Sequence, residues 1–204
     1  RHLFVTAAAD HYRIPSPRYR SSFPSSGNRI EIRGEYLPRD ELSVRLSYAL
    51  TSREYDVSAE TGTAASEFRE RRQLSLVFKY EPATCITLAT RASISYVTPG
   101  AEKGYLLCHD VSYSFRNVPF RIWLRYALCT TGGYNSRLYA WENDLLSAFS
   151  VPAFYGDCSR AFMMVSWRPS SRIEIRLKYA ITVHQKDLSV NTMQELKGQL
   201  RVRF

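Results

Sequence analysis

Arg172-Ile173-Glu174-Ile175-Arg176-Leu177-Lys178-Tyr179 alternates without a break, with charged side chains at even positions and apolar ones at odd positions. Successive residues of a strand point to opposite faces, so an extended chain gathers these charges on one side. A helix would scatter them around its circumference. The segment therefore predicts a strand with one charged and one apolar face. The same reading holds over residues 29–36, where Ile30, Ile32 and Tyr36 share a face. It holds over 41–50 with Leu42, Val44, Leu46, Tyr48 and Leu50, and over 73–80 with Leu74, Leu76, Phe78 and Tyr80. Residues 86–96, 105–115 and 120–128 follow it with brief interruptions, and the last ten, Glu195-Leu196-Lys197-Gly198-Gln199-Leu200-Arg201-Val202-Arg203-Phe204, alternate to the end.

The rest of the chain bounds the answer. It has 204 residues, enough for one domain or two small ones, and we expect a single domain over 1–204. Hydrophobic residues make up 45% and charged residues 23%, which excludes a disordered or collagen-like chain. The longest apolar run, 161–165, falls far short of the roughly 20 residues of a helical membrane span. No secretory core or transit-like segment stands at the start, and the opening at Arg1 reads as the cut end of a longer protein. Twenty-eight Lys and Arg against 19 Asp and Glu give a net charge of +9, which permits an anionic partner without naming one. The 14 Tyr suit β structure and interfacial surfaces.

No segment carries an i, i+3, i+4 stripe over three turns; residues 64–72, rich in Glu and Arg, read as a loop with one helical turn. About 12 strands, most near ten residues long, can be laid along the chain. The connections alternate in length. Those at 38–40, 81–84, 117–119 and 169–171 are tight, whereas 10–28, 51–71, 98–103 and 130–136 are longer. Short turns at one end and long loops at the other are the signature of a membrane β-barrel. Residues 138–155 would break this alternation as one strand; a turn at Asn143-Asp144 divides them into two and restores it.

Period alone does not separate a membrane barrel from a soluble one, so the content of each face decides. The charged face holds Arg29, Glu31, Arg33, Glu35, Arg45, Lys79, Arg91, Arg121, Arg125, Arg172, Glu174, Arg176, Lys178, Glu195, Lys197, Arg201 and Arg203, which we expect to line a lumen. The opposite face is nearly free of charge, with aromatics near strand ends: Tyr36, Tyr48, Tyr80, Tyr96, Phe115, Phe120, Trp167, Tyr179 and Phe204. That arrangement resembles the two aromatic girdles of an outer-membrane barrel. Leu200, Val202 and Phe204 look like the C-terminal signal read by barrel assembly machinery. The fold expected is an all-β, antiparallel, up-and-down transmembrane barrel of about 12 strands, or the C-terminal part of a larger one. The alternative is a secreted β domain whose apolar face lines a ligand cavity.

The stretch Leu138-Tyr139-Ala140-Trp141-Glu142-Asn143-Asp144-Leu145-Leu146-Ser147-Ala148-Phe149-Ser150-Val151-Pro152-Ala153-Phe154-Tyr155-Gly156 is more specific. It resembles a segment of Bacteroidota helix-hairpin-helix domain-containing proteins. The strand from Arg160, the Trp167-Arg168-Pro169 turn, the 172–179 strand and the basic last strand are also similar to that family's C-terminus, so the match covers 137–204. Upstream only the strand rhythm matches. The resemblance implies the C-terminal portion of an outer-membrane barrel in a bacterial cell envelope. It supplies no substrate, and the helical DNA-binding-type repeats of the family are not among these residues.

Candidate chemistry is sparse. His109-Asp110 within a strand and His184 near a strand end could serve a rim active site, but no nucleophile motif accompanies them, and ordinary lumen or loop histidines are the preferred reading; His2 and His11 add nothing to it. Glu142 and Asp144 could bind a cation, and the preferred alternative is a turn with an inward carboxylate paired to lumen Arg. Cys85, Cys108, Cys129 and Cys158 lack zinc-type spacing; a Cys129–Cys158 disulfide near the long-loop end and four free thiols are both open. The cationic stripe favours anions if the pore is open, or forms Arg–Glu ladders that fill and block a small barrel, and the interleaved acids favour ladders. Tyr and Arg together suit nucleic acid, yet no RNA- or DNA-binding signature appears. The function expected is a non-catalytic channel or a scaffold of an envelope complex, with no cofactor or metal. Its partners are the outer-membrane bilayer, the barrel assembly machinery and neighbouring envelope proteins.

Overall fold

A computed structural model describes residues 2–16, 24–58, 64–146, 148, 150–186 and 189–203. Among these residues twelve strands form: β1 (His2–Ile14), β2 (Ser25–Arg39), β3 (Leu42–Ser58), β4 (Ala64–Ala83), β5 (Ile86–Thr98), β6 (Glu102–Ser114), β7 (Phe120–Thr131), β8 (Leu138–Tyr139), β9 (Ala153–Phe154), β10 (Asp157–Ser170), β11 (Ile173–Lys186) and β12 (Ser189–Val202). Ten of them make one antiparallel sheet in the order β1-β2-β3-β4-β5-β6-β7-β10-β11-β12, each strand beside its neighbour in sequence apart from the excursion between β7 and β10. No α-helix occurs among the described residues; a single 3-10 turn spans Tyr134–Ser136. The sheet is open: the outer edges of β1 and β12 have no ladder partner among the described residues.

The strand register fixes the two faces. Leu46 pairs with Leu76, which pairs with Ala92, which pairs with Leu107, so one row of apolar side chains crosses four strands on a single face. The leucines of this row remain about half exposed, as do Leu128 on β7 and Leu177 on β11. The other face carries Arg125, Phe162, Met164, Lys178 and Ala180, all buried. Phe162, Met164 and Ala180 pack together beside Trp123, and the segment between β7 and β10 folds back over this face to meet Arg125 and Lys178; we call it the inner face.

Three of the tight turns share a sequence device. Tyr36-Leu37-Pro38-Arg39, Tyr80-Glu81-Pro82-Ala83 and Trp167-Arg168-Pro169-Ser170 each carry a register shift between the aromatic and the residue three later. Proline cannot donate to the ladder and is tolerated at a bulge. Each bulge therefore ends the regular pairing just past an outward aromatic and leads into a two-residue turn, at Asp40-Glu41, Thr84-Cys85 or Ser171-Arg172.

Several sequence expectations need correction. The sheet strands run from 12 residues in β7 to 20 in β4, longer than the expected ten. Residues 64–72 are extended within β4, not a loop with a helical turn, and 51–58 continue β3. Charge stands on both faces there: Arg72 pairs with Glu70 at 2.6 Å on the outward side and Arg69 and Arg71 lie on the other, so the face contrast that signals a strand is absent. Residues 138–155 do not form two sheet strands. Leu138–Tyr139 and Ala153–Phe154 pair only with each other, with one further bridge from Glu142 to Ser150. Losing two strands leaves the parity unchanged, and His2 and Val202 both lie beside short-turn residues, opposite Leu37 and Ile173.

Candidate functional site: an inward loop clamped to the charged face

The loop from Gly132 to Gly156 touches the inner face from β4 to β12. At its start, Arg69 donates to Asn135 Oδ1 at 2.7 Å, Arg71 to the Arg137 carbonyl at 2.5 Å and Ser95 Oγ to the Ser136 carbonyl at 2.5 Å. Glu102 accepts from Asn135 Nδ2 at 2.9 Å and from the Ser136 N–H at 3.2 Å. Gly104 lies directly beneath: a Cβ there would collide with the Ser136 carbonyl, a backbone atom that cannot swing away. Leu138, Ala140 and Phe154 then pack on Leu106, Cys108, Ala127, Cys129 and Cys158 in one buried apolar cluster.

The tip of the loop is held by charge. Glu142 is fully buried and accepts from Arg160 at 2.6 Å and from Lys178 Nζ at 3.1 Å. Asp144 pairs with Lys178 at 3.4 Å and Lys197 at 3.1 Å. Glu195 closes the circuit with Arg160 at 3.3 Å and Lys197 at 2.6 Å. Three carboxylates face three cations, so the network is neutral although Lys178 is wholly out of water. Gln199 adds a reciprocal amide pair with the backbone of Leu146, at 2.8 and 2.9 Å. Arg125, held by both oxygens of Asp110 at 2.6 and 2.8 Å, turns its remaining nitrogen to the Trp141 carbonyl at 2.7 Å. Buried ions persist only when paired this completely.

Burial alone would push the Glu142 carboxyl up, but Arg160 and Lys178 outweigh it and hold the group below its ordinary range. Asp144 behaves alike: burial opposes ionisation, and the Leu145 N–H, Lys197 and Lys178 overcome it. Both groups are more acidic in the docked loop than when released. Their contribution to docking is therefore complete above the ordinary carboxylate values, about 4, and is lost as pH falls through the lowered ones. Relative to an unfolded reference protein digested alongside, pepsin should leave the loop intact near pH 4 and cut within 138–155 once the pH falls below the lowered carboxylate range. Loop cleavage that keeps a constant ratio to the reference as the pH falls would contradict the clamp.

Not every cation is matched. A cavity of about 350 Å³ lies between β4 to β7 and the loop, lined among others by Lys79, Arg91, Arg121, Trp123, Trp141 and Asn143. Lys79 pairs with Glu81 at 2.7 Å, and Arg121 lies over the Trp123 ring at 5.0 Å. Arg91 and Arg121 have no ion-pair partner among the described residues.

The residues singled out from the sequence fall as follows. Arg29, Glu31, Arg33, Glu35 and Arg45 lie on the inner face of β2 and β3 as a ladder, Glu31 between Arg29 (2.9 Å) and Arg33 (2.8 Å), and Glu35 on Arg45 (2.8 Å). Glu174 takes Arg176 at 2.7 Å and Arg168 at 3.4 Å. Lys79, Arg91, Arg121, Arg125, Lys178, Glu195, Lys197 and Arg201 share the inner-face register, whereas Arg172 sits in the β10–β11 turn and Arg203 lies just past β12, its N–H on the Arg172 carbonyl at 2.8 Å. Leu200 and Val202 point outward, and Phe204 lies outside the described residues. His109 is not an inner-face histidine as expected: it points outward, 2.9 Å from Thr90 Oγ1, while its neighbour Asp110 points inward to Arg125. His184 packs on Tyr155 at the rim, 5.1 Å between ring centroids, beside Asn191 and Met193. His11 bonds to Asn28 at 2.6 Å, and His2 stacks on Phe4. No cluster of three His, Cys, Asp or Glu side chains suited to a metal occurs among the described residues. Arg160, which holds the centre of the clamp, is missing from the residues read off the sequence. It is followed by the continuous apolar run 161–165, which carries no face contrast, and its partner lies in a segment that reads as sheet.

No protein-family model matches the chain, and no curated protein matches it either.

Proposed function

We propose that this chain forms the wall of an outer-membrane β-barrel, either complete or as the C-terminal part of a larger one, with the inward loop as a plug. Its role is that of a scaffold in an envelope complex. The observation that carries the reading is the contrast between faces across one sheet. Leu46, Leu107 and Leu177 stand 47 to 50% exposed on one side, while Lys178, beside Leu177, is wholly buried among charges on the other. A soluble sheet would hide the apolar side and hydrate the charges. On β4 the outward apolar row runs from Leu74 to Tyr80 and gives way to Arg72 and Glu70. Strand pairing carries Tyr80 to Leu88 and Arg72 to Tyr96, so outward aromatics stand eight residues apart across β4 and β5. At about 3.3 Å per residue and a tilt near 40°, that spans roughly 20 Å, close to the apolar band of about 25 Å in known barrels. The resemblance of 137–204 to the Bacteroidota proteins supports the same location, and assembly machinery reading Leu200 and Val202 would be its first partner.

A second reading, a narrow anion-preferring channel, is favoured by the cavity lining, where Lys79, Arg91, Arg121 and Arg125 outnumber Glu81 and Asp110 and where Arg91 and Arg121 make no ion pair among the described residues. The discriminating experiment is electrophoresis in SDS with and without boiling, followed by planar-bilayer recording. A closed barrel with a seated plug migrates differently before boiling and is electrically silent. Steps of anion-selective current from the unaltered chain would replace the scaffold by the channel. A protein that is monodisperse without detergent would sink both.

A further inference from the structure

We propose that Cys129 and Cys158 form a disulfide that closes the base of the inward loop. The two residues are directly opposed in the β7–β10 ladder, so both side chains leave the same face. Opposed residues of an antiparallel pair have Cα atoms about 4.5–5.5 Å apart, inside the roughly 4.4–6.8 Å that a disulfide spans. The sulfurs are already in contact, 2.8 Å apart. No other pairing of the four cysteines fits. Cys108 is level with Ala127, one diagonal away from Cys129, a Cα separation of about 7–8 Å that a disulfide does not bridge. Cys85 sits in the β4–β5 turn at the opposite end of the sheet. The bond is confined to the covered side: Leu138, Ala140 and Phe154 lie over both sulfurs' cluster. It therefore forms when β7 and β10 first pair, before the loop docks.

The oxidant is a disulfide-bearing thiol oxidase of an oxidising compartment, or its small-molecule equivalent. One cysteine, deprotonated, attacks the oxidant's disulfide and expels one of its sulfurs as thiolate. The second, deprotonated in turn, attacks the mixed disulfide and expels the other. The protein loses two protons and two electrons, and the oxidant gains them as a dithiol. The inference needs only the β7–β10 register and is independent of the barrel reading.

The test uses the full chain folded in detergent with a mixture of oxidised and reduced glutathione, then denatured and alkylated with N-ethylmaleimide. Two of the four thiols, Cys85 and Cys108, should alkylate. The intact mass should fall by about 2 Da before alkylation, and a linked peptide pair should carry Cys129 and Cys158. Cys108→Ser should keep the bridge, and Cys129→Ser should abolish it and leave the other three thiols reactive. Four reactive thiols in the unaltered folded chain, or a bridge that includes Cys85 or Cys108, would overturn the proposal.

Discussion

Glu142→Gln should release the loop from the sheet at neutral pH, at a cost of about 3–5 kcal/mol, the usual penalty for removing one partner of a buried ion pair. Among the described residues this carboxylate is the only acid that reaches both Arg160 and Lys178. Without it the one carboxylate left to Lys178, which has no exposure, is Asp144 at the longer distance, and the one left to Arg160 among the described residues is Glu195 at the partly exposed edge, beside the neutral Thr182 hydroxyl. Trypsin should then cut after Arg137, the tryptic site within the loop, many times faster than in the parent. A double-mutant cycle with Lys178→Met identifies the cause. If the penalty is an unpaired charge, removing the cation as well recovers part of it, and the two effects are strongly non-additive. Additive losses, or an unchanged digestion rate in Glu142→Gln, would mean that the apolar cluster around Phe154 holds the loop without help from charge. On the plugged-barrel reading the same variant should also convert a silent protein into a conducting one.

The second large effect is on the opposite face. Leu46 stands midway along the outward row of β3, and on the membrane reading Leu46→Arg should cost about 2–4 kcal/mol, since a cation at mid-depth of a bilayer has neither water nor partner. Ser47, the next residue, points inward and faces Arg33 across the ladder. Ser47→Glu should be tolerated, because the new carboxylate meets an existing cation in a hydrated setting. Heat-modifiable mobility and yield of folded protein in lipid vesicles report the difference. Equal tolerance at both positions would remove the argument that the outward face meets lipid. The contrast matters because the two residues are adjacent: composition and strand propensity cannot explain opposite outcomes, whereas face can.

What can be read from the sequence follows from the same contrast. Alternation is visible only where one face meets something apolar and the other something polar. Residues 173–179 and 74–80 satisfy that condition, and their strands stand out by eye. Residues 51–58 and 64–72 do not, since charges such as Glu70 and Arg72 face outward beyond the apolar row, and their strands carry no such signal. The inward loop is obscured for the opposite reason. Leu138, Ala140 and Glu142 alternate with Tyr139 and Trp141 because the segment also has a buried and an exposed side, but the burying surface is the sheet itself and not a neighbouring strand. Pro152 and Gly156, with φ +66° at the latter, are the local signs that this stretch turns instead of running on. The aromatic-X-Pro-X turns are legible throughout and are a stronger marker of turn position than loop length.

The open edges of the sheet have an energetic corollary. β1 and β12, 13 and 14 residues long, each present a row of N–H and C=O groups without a ladder mate among the described residues. Water satisfies such a row at little cost, whereas in hydrocarbon each unmatched group costs several kcal/mol. A few of them already exceed the roughly 5–15 kcal/mol that stabilises an ordinary domain. On the membrane reading, then, greasiness alone cannot bring this sheet into lipid. Entry is coupled to the zipping of β1 and β12 against each other or against further strands.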